Sequence, residues 1–386
     1  MQDRTQRAPK KVLLFANTDW YLYNFRLSLA KAIRESGYEV VLLSPDGPYG
    51  PKLREAGFRW EVAPMRRKSL NPLREIAFVF WLTRFLRREA PDLLHGFTIK
   101  CAVYGAMAGW LADVPARINA VAGLGYVFTS RDVKAMILRP VLRRLMQFTF
   151  KAKNSLLVLQ NPDDVRLFLH YGIVSASYIR LIKGSGVDCE RFTQKVWDTS
   201  VNEPLKVLLA ARLQWDKGIA EYVEAAKILQ AEGQAIQFYL AGAVDKGNPA
   251  AIDEKEVAEW VREGVLTWLG HVDDMPRLLR TMDVMALPSY REGLPKGLIE
   301  AGASGLVLVT TDVPGCREVV QSNGQDGLLV PPRDAGALAD ALRSLEQDRW
   351  LLRKLGVAAR KKAFAEFNES VVIKQTIDAY KELEGR

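Results

Sequence analysis

Glu292 and Glu300 stand eight positions apart in the stretch SYREGLPKGLIEAGASG (residues 289–305), on either side of a Gly-Leu-Pro turn. Pro295 suits the first turn of a helix, where its missing N–H costs nothing, and Gly293 lets the backbone come close to a ligand. The N–H groups of such a turn favour a phosphate. Glu292 then lies in the loop, and Glu300 about one and a half turns into the helix, roughly 7 Å farther along its axis. Carboxylates so placed can accept hydrogen bonds from the hydroxyls of a hexose and from those of a nucleotide ribose. The plain alternative is a capped surface helix with two solvated glutamates.

Two cations complement them in ARLQWDKG (211–218). Lys217 begins a helix, where the dipole disfavours a positive charge unless an anion sits between. A diphosphate fits, with Arg212 as a planar fork and Lys217 as a point charge. Without a ligand they read as solvent-facing cations beside Asp216. The chain contains no Asp-x-Asp, no Walker-type loop and no Gly-x-Gly-x-x-Gly after a strand. Two cations and a helix N-terminus can neutralise a leaving diphosphate by themselves, so the expectation is a site without metal or cofactor. His95, His170 and His271 match no metal-ligand spacing. His95, between Leu94 and Gly96 at a strand end, is either a satisfied core histidine or a group facing a ligand.

The elements that position these residues alternate strand and helix. Short apolar runs fall at 12–16, 39–44, 92–97, 116–121 and 155–160, separated by segments of helical spacing such as NFRLSLAKAIRESG, ending at Gly37. The polar stretch 184–204 reads as a linker. The alternation restarts at 206–211, 237–242, 265–270, 284–289, 306–311 and 327–330, and residues 334–384 read as helices only. Buried strands alternating with helices predict an α/β protein of two doubly wound, parallel-sheet domains facing one another. Ligands of such sheets bind beyond the carboxyl ends of the strands. Asn17, Asp19, His95, Gly123, Arg212, Gly242 and Glu292 all fall at or just after strand ends.

Composition bounds the setting. The 386 residues are 48% hydrophobic and 26% charged, as in a soluble globular protein. No apolar run approaches the roughly 20 residues of a membrane span. The start MQDRTQRAPKK leads into an apolar run too short for a signal peptide, and three scattered cysteines argue against a disulfide framework, so a cytoplasmic protein is expected. Residues 1–200 carry 31 Lys+Arg against 17 Asp+Glu, while residues 201–386 carry 23 against 28. The basic first half points to an anionic partner. Segments 73–92 and 133–153 mix arginines with Phe, Leu and Met at helical spacing, as do helices lying on an anionic bilayer. The bland reading of each is a core-facing stripe with a solvated basic back. No nucleic-acid-binding module is visible.

The combination ARLQWDKG, LPSYREGLPKGLIEA and GLLVPP resembles retaining glycosyltransferase family 4, of the two-domain GT-B fold. NFRLSLAKAIRESGYEVVLLSP, HGFTIKCAVYG and INAVAGLGYVF are similar to its subgroup that builds capsule, exopolysaccharide or O-antigen repeat units on a polyprenyl-diphosphate lipid. The resemblance implies two Rossmann-like domains facing across a cleft. These are an acceptor domain over 1–185, a linker over 186–204, a donor domain over 205–368, and a helix over 369–386 returning to the first domain. Glu292 and Glu300 match the family's Glu-x7-Glu pair, the first facing the donor sugar and the second the ribose. Arg212 and Lys217 match its diphosphate-binding pair.

On this resemblance the catalytic candidates are Glu292, Arg212, Lys217 and His95. Gly293, Leu294, Pro295, Glu300, Gly242 and His271 fall on the donor side, and Asn17, Asp19, Arg26 and Gly123 on the acceptor side. MRRKS (65–69) adds contacts to the acceptor diphosphate. The implied reaction is retaining, metal-independent transfer of a hexose or N-acetylhexosamine from a UDP-sugar to a polyprenyl-diphosphate-linked glycan. The implied place is peripheral, on the inner face of the cytoplasmic membrane. One departure is Ala122-Gly123, where many relatives carry His-Gly; His95 is the candidate to replace it in part. The alternatives are a UDP-sugar epimerase of the same fold, which needs no acceptor, and a non-catalytic membrane scaffold. The four-residue set Arg212, Lys217, Glu292 and Glu300 argues against a scaffold.

Overall fold

Val12, Leu13, Leu14 and Phe15 have no solvent exposure at all, as expected of a strand covered by helices on both faces. They belong to one of two units into which the computed structural model divides: Met1–Ser185 with Val372–Arg386, and Gly186–Val371. The structure describes residues 9–67, 69, 71–121, 133–150, 154–197, 203–245, 248 and 250–386.

Unit 1 is built on seven parallel strands in the order β3-β2-β1-β4-β5-β6-β7. They are β1 Lys11–Phe15, β2 Glu39–Ser44, β3 Arg59–Val62, β4 Leu93–Phe97, β5 Ala116–Val121, β6 Ser155–Leu159 and β7 Ile179–Leu181. The chain steps outward from β1 in one direction and from β4 in the other, so the switch in winding lies between β1 and β4. β1 feeds the helix Asp19–Glu35, whose cap Thr18 accepts a hydrogen bond from the Tyr21 N–H at 3.1 Å. Gly37, at φ +90°, lets the chain turn back after it. The C-terminal helix Glu369–Glu384 supplies Val372, Ala379, Tyr380 and Leu383 to the core that also holds Val12, Leu14 and Phe97. Lys10–Glu384 and Arg180–Glu382 ion pairs hold its end. The edge strands β3 and β7 are not visible as apolar runs in the sequence. Charged residues in both, RWEV and IRL, break up any apolar run.

Unit 2 has six parallel strands in the order β10-β9-β8-β11-β12-β13. These are β8 Leu205–Ala210, β9 Ile236–Ala241, β10 Thr267–Trp268, β11 Val284–Leu287, β12 Val307–Thr311 and β13 Leu328–Val330. Here the switch falls between β8 and β11. The stretch 184–204 is more than a linker. Val187, Cys189 and Phe192 are buried in a core shared with Leu298 and Phe367, and Val187 exchanges backbone hydrogen bonds of 2.9 Å with Phe367 and Glu369. Its polar look comes from having only a few inward-facing residues.

Candidate active site

The β8/β11 switch point collects the functional candidates of unit 2. Lys217 ends a one-turn helix after β8, and Glu292 lies five residues beyond β11. Lys217 Nζ is 2.5 Å from Glu292 Oε1, with the two side chains 16% and 14% exposed. The two residues form one largely buried ion pair, so Glu292 is not a freely solvated glutamate. Ser289 Oγ lies 2.9 Å from the same carboxylate oxygen and 2.9 Å from the Asp216 carbonyl. The Tyr290 N–H donates to that carbonyl at 2.9 Å, tying the β11 loop to the β8 loop. Tyr290 then donates its hydroxyl to Glu221 at 2.8 Å, with the Arg333 guanidinium 3.9 Å from its ring centroid. Burial and Glu221 push this phenol up to about 12. The neighbouring Cys316 is also a protonated thiol, pushed up to about 12 by burial and by Glu292.

Arg212 is arranged differently. Its side chain is 56% exposed and its Nη1 lies 2.8 Å from an Asp245 oxygen, which also accepts from Gln214 Nε2 at 2.6 Å and Asn248 Nδ2 at 3.0 Å. Asp245 therefore aims the guanidinium. It sits 33 positions away in a polar loop, and no spacing rule points to it. Gly242 follows β9 where a side chain could not fit: a Cβ would lie 1.8 Å from the Ala211 carbonyl oxygen. Its N–H donates to the Gly270 carbonyl at 2.7 Å. That bond brings the exposed His271, 3.3 Å from Asp273, to the same edge of the sheet.

Pro295 is buried and stands just before the helix Lys296–Ala303 rather than inside its first turn. Leu294 packs partly into the core beneath, and Gly293 is half-buried beside it. No side chain caps this helix. Glu300 is 18% exposed in its side chain and 3.6 Å from Lys296. Burial raises its carboxyl above the ordinary range, while Lys296 and Arg191 pull it back. A carboxyl raised in the folded state stabilises the protein below its unfolded value, and that contribution is lost as pH rises through the folded value. Glu300→Gln is accordingly expected to melt higher than the parent at pH 7 without ligand, with the gap closing at pH 4; melting curves at the two pH values check this. Among the described residues, no three His, Cys, Asp or Glu side chains are grouped to hold a metal ion.

In unit 1 the acceptor-side candidates separate. Asp19 is buried, and its oxygens accept from the N–H groups of Tyr49 (2.6 Å), Gly50 (3.0 Å) and Trp20 (2.8 Å). It holds the first turn of the helix Gly50–Glu55, and this corrects the expectation of a ligand-facing group. His95 is also buried rather than exposed at the strand end, with Nδ1 2.7 Å from the Tyr380 hydroxyl. Burial and the nearby Arg26 hold its pKa well below the ordinary value, which disfavours the imidazolium that a proton-accepting role would form. Arg26 is buried against Phe97, and Asn17 is half-buried at the end of β1. Ala122 and Gly123 lie outside the described residues.

Two winding switches on two parallel sheets, one of them carrying a Lys–Glu ion pair, are the arrangement of a GT-B fold. Sequence comparison agrees. Residues 11–161 match the family model "Glycosyl transferase 4-like" and residues 204–348 match "Glycosyl transferases group 1". The chain belongs to these glycosyltransferases. Among its relatives is the N,N'-diacetylbacillosaminyl-diphospho-undecaprenol alpha-1,3-N-acetylgalactosaminyltransferase of Campylobacter jejuni, 28% identical over 93% of this chain and 95% of that protein. Another is the UDP-Gal:alpha-D-GlcNAc-diphosphoundecaprenol alpha-1,3-galactosyltransferase of Escherichia coli, 26% identical over 83% of this chain and 82% of that protein. Anabaena HepE in complex with UDP has a similar fold, with a TM-score of 0.77 at 19% identity over 96% of this chain and all of that one.

Proposed function

We propose that this glycosyltransferase moves a hexose or N-acetylhexosamine from a UDP-sugar to a polyprenyl-diphosphate-linked glycan, with retention and without a metal ion. The observation that carries this reading is the largely buried Lys217–Glu292 pair at the β8/β11 switch, with Arg212, held by Asp245, on the loop after β8. Lys217 and Arg212 neutralise the diphosphate as the bond from the sugar anomeric carbon to phosphate oxygen breaks. Glu292 orients the sugar and Glu300 accepts from the ribose hydroxyls. The departing phosphate takes the acceptor proton on the face it leaves, which requires no protein base. The relatives' names support a lipid-diphosphate acceptor and alpha-linked products, and the UDP complex of a protein of like fold supports the nucleotide.

The test is calorimetric titration of UDP, GDP and ADP in EDTA with the parent protein and Arg212→Ala. UDP should bind the parent and lose about 10- to 100-fold in affinity in the variant, the worth of a charge-assisted hydrogen bond. Folded protein that binds no nucleotide, or binds only with a divalent ion, overturns the assignment.

Such an acceptor places the enzyme at a membrane surface, on our reading the inner face of the cytoplasmic membrane. Among the described residues no helix is long and apolar enough to cross a bilayer. The helix Pro72–Glu89 buries Phe78, Leu82, Phe85 and Leu86, yet it leaves Leu73, Ile76 and Phe80 79%, 54% and 64% exposed. Their spacing puts them on one outer face with the exposed Arg84 and Arg87. A core-facing stripe with a solvated back does not explain this second apolar row, whereas an anionic lipid surface does. Phe80→Glu is expected to reduce flotation with phosphatidylcholine–phosphatidylglycerol vesicles about tenfold, given the apolar area it withdraws. Unchanged flotation argues against this face.

A further inference from the structure

Two buried side chains of unit 1 carry nitrogens that meet no other group among the described residues. Arg26 is 5% and His95 2% exposed, and among the described residues neither Arg26 Nε nor His95 Nε2 has a hydrogen-bond partner. Both groups lie against the ring of Phe97, the guanidinium carbon 4.3 Å and the imidazole 4.0 Å from its centroid. Arg26 Nη2 donates to the Tyr21 hydroxyl at 2.9 Å, and among the described residues no carboxylate is within ion-pair distance of it. Buried guanidinium groups are ordinarily paired with an anion. The faces of Phe97 and Tyr21 offset part of the cost of this one without neutralising it.

The tautomer of His95 follows from its neighbour. Among the described residues, the Tyr380 hydroxyl has one partner, His95 Nδ1, at 2.7 Å. The imidazole is neutral, held so by burial and by Arg26. A proton on Nδ1 would leave the phenol hydrogen without an acceptor, so Tyr380 donates to Nδ1 and the imidazole proton sits on Nε2. The two unmet atoms are then both N–H donors, one of them on a full positive charge. A water molecule or a sugar hydroxyl would satisfy the donors and leave the charge. An anionic oxygen does both.

The position agrees with a ligand. Arg26 is on the helix that follows β1, and His95 and Phe97 close β4, so the group flanks the β1/β4 winding switch where doubly wound sheets bind their ligands. We propose that Arg26 and His95 form an anion site of unit 1 that receives a phosphate oxygen of the acceptor. The assignment rests on the reading that the acceptor carries a diphosphate. Tyr380, from the C-terminal helix, is a positioning residue that fixes the His95 tautomer.

The full chain has three histidines, so ¹⁵N-histidine labelling resolves the ring of His95, assigned with His95→Asn. Inorganic pyrophosphate and farnesyl diphosphate should each shift its Nε2 resonance, and Arg26→Met should abolish the shift. In steady-state assays Arg26→Met should raise KM for the lipid-linked acceptor about 10- to 100-fold while UDP affinity is kept. A resonance unmoved by either phosphate probe overturns the site, leaving a water-filled or closed pair. Movement with phosphatidylglycerol vesicles alone overturns the acceptor assignment in favour of a lipid headgroup. An Arg26→Met enzyme with lowered melting temperature and unchanged KM reduces Arg26 to a stacked core residue. Should that variant fail to fold, the titration of the parent decides. Failure of the glycosyltransferase reading would show separately, as absent UDP binding.

Discussion

Lys217→Ala is expected to lower the turnover of sugar transfer about 10²- to 10³-fold at saturating donor, the loss typical of removing one preorganised group that stabilises developing charge. The structure ties two further consequences to the same substitution. Glu292 would keep its contact with Ser289 but lose its cation, and a carboxylate left unpaired in a 14%-exposed position costs about 1–3 kcal/mol. Lys217→Met combined with Glu292→Gln removes both charges and keeps the volumes. That double variant should recover most of the stability and none of the activity, since replacing a buried pair by neutral groups is often neutral for folding. Lys217→Arg should remain impaired, because a planar fork does not replace a point charge. Steady-state kinetics with thermal melts on the three variants and the parent decide the matter. A Lys217→Ala enzyme within tenfold of the parent would make the pair a structural brace.

How far this site can be read in the sequence depends on the kind of contact involved. Glu292 and Arg212 are legible because each follows a strand end, and Lys217 because it is a cation at a helix start; the carboxyl ends of β8 and β11 converge at the winding switch. The switch itself is not legible, since strand order is a long-range property. Asp245 is equally hidden: its contact to Arg212 spans a loop of no pattern. Asp19 shows the limit of the strand-end rule from the other side. The rule places it correctly beyond β1, yet it cannot tell a carboxylate that faces a ligand from one that turns back to hold Tyr49 and Gly50. For His95, an alternation of apolar residues does not reveal that Tyr380, 285 positions away, holds its Nδ1. The large parallel sheets were visible as runs of Val and Leu. The edge strands β3 and β7 were not, because charged residues interrupt their few apolar positions.

Gly218→Ala should be among the most damaging single methyl additions in unit 2. Gly218 links Lys217 to the helix Ile219–Ala231 at φ +72°, and a left-handed backbone costs a non-glycine residue about 1–2 kcal/mol. The added Cβ would also lie 2.0 Å from the Pro288 carbonyl oxygen, which is backbone and cannot rotate away. Overpacking of this kind adds about 1–3 kcal/mol. The strand end that must yield is the one leading into Ser289 and Glu292, so donor binding should fall with stability. Gly233→Ala separates the two causes. Gly233 has φ +71°, nearly the same backbone, with nothing within 4 Å of its Cβ position. Urea unfolding should therefore show Gly233→Ala destabilised by the backbone term alone, with UDP affinity intact. Gly218→Ala should show both terms, with UDP binding reduced at temperatures where the variant is still folded. Equal losses in the two variants would mean that the Pro288 backbone gives way freely, and that the close approach of the β8 and β11 loops is not what holds Lys217 against Glu292.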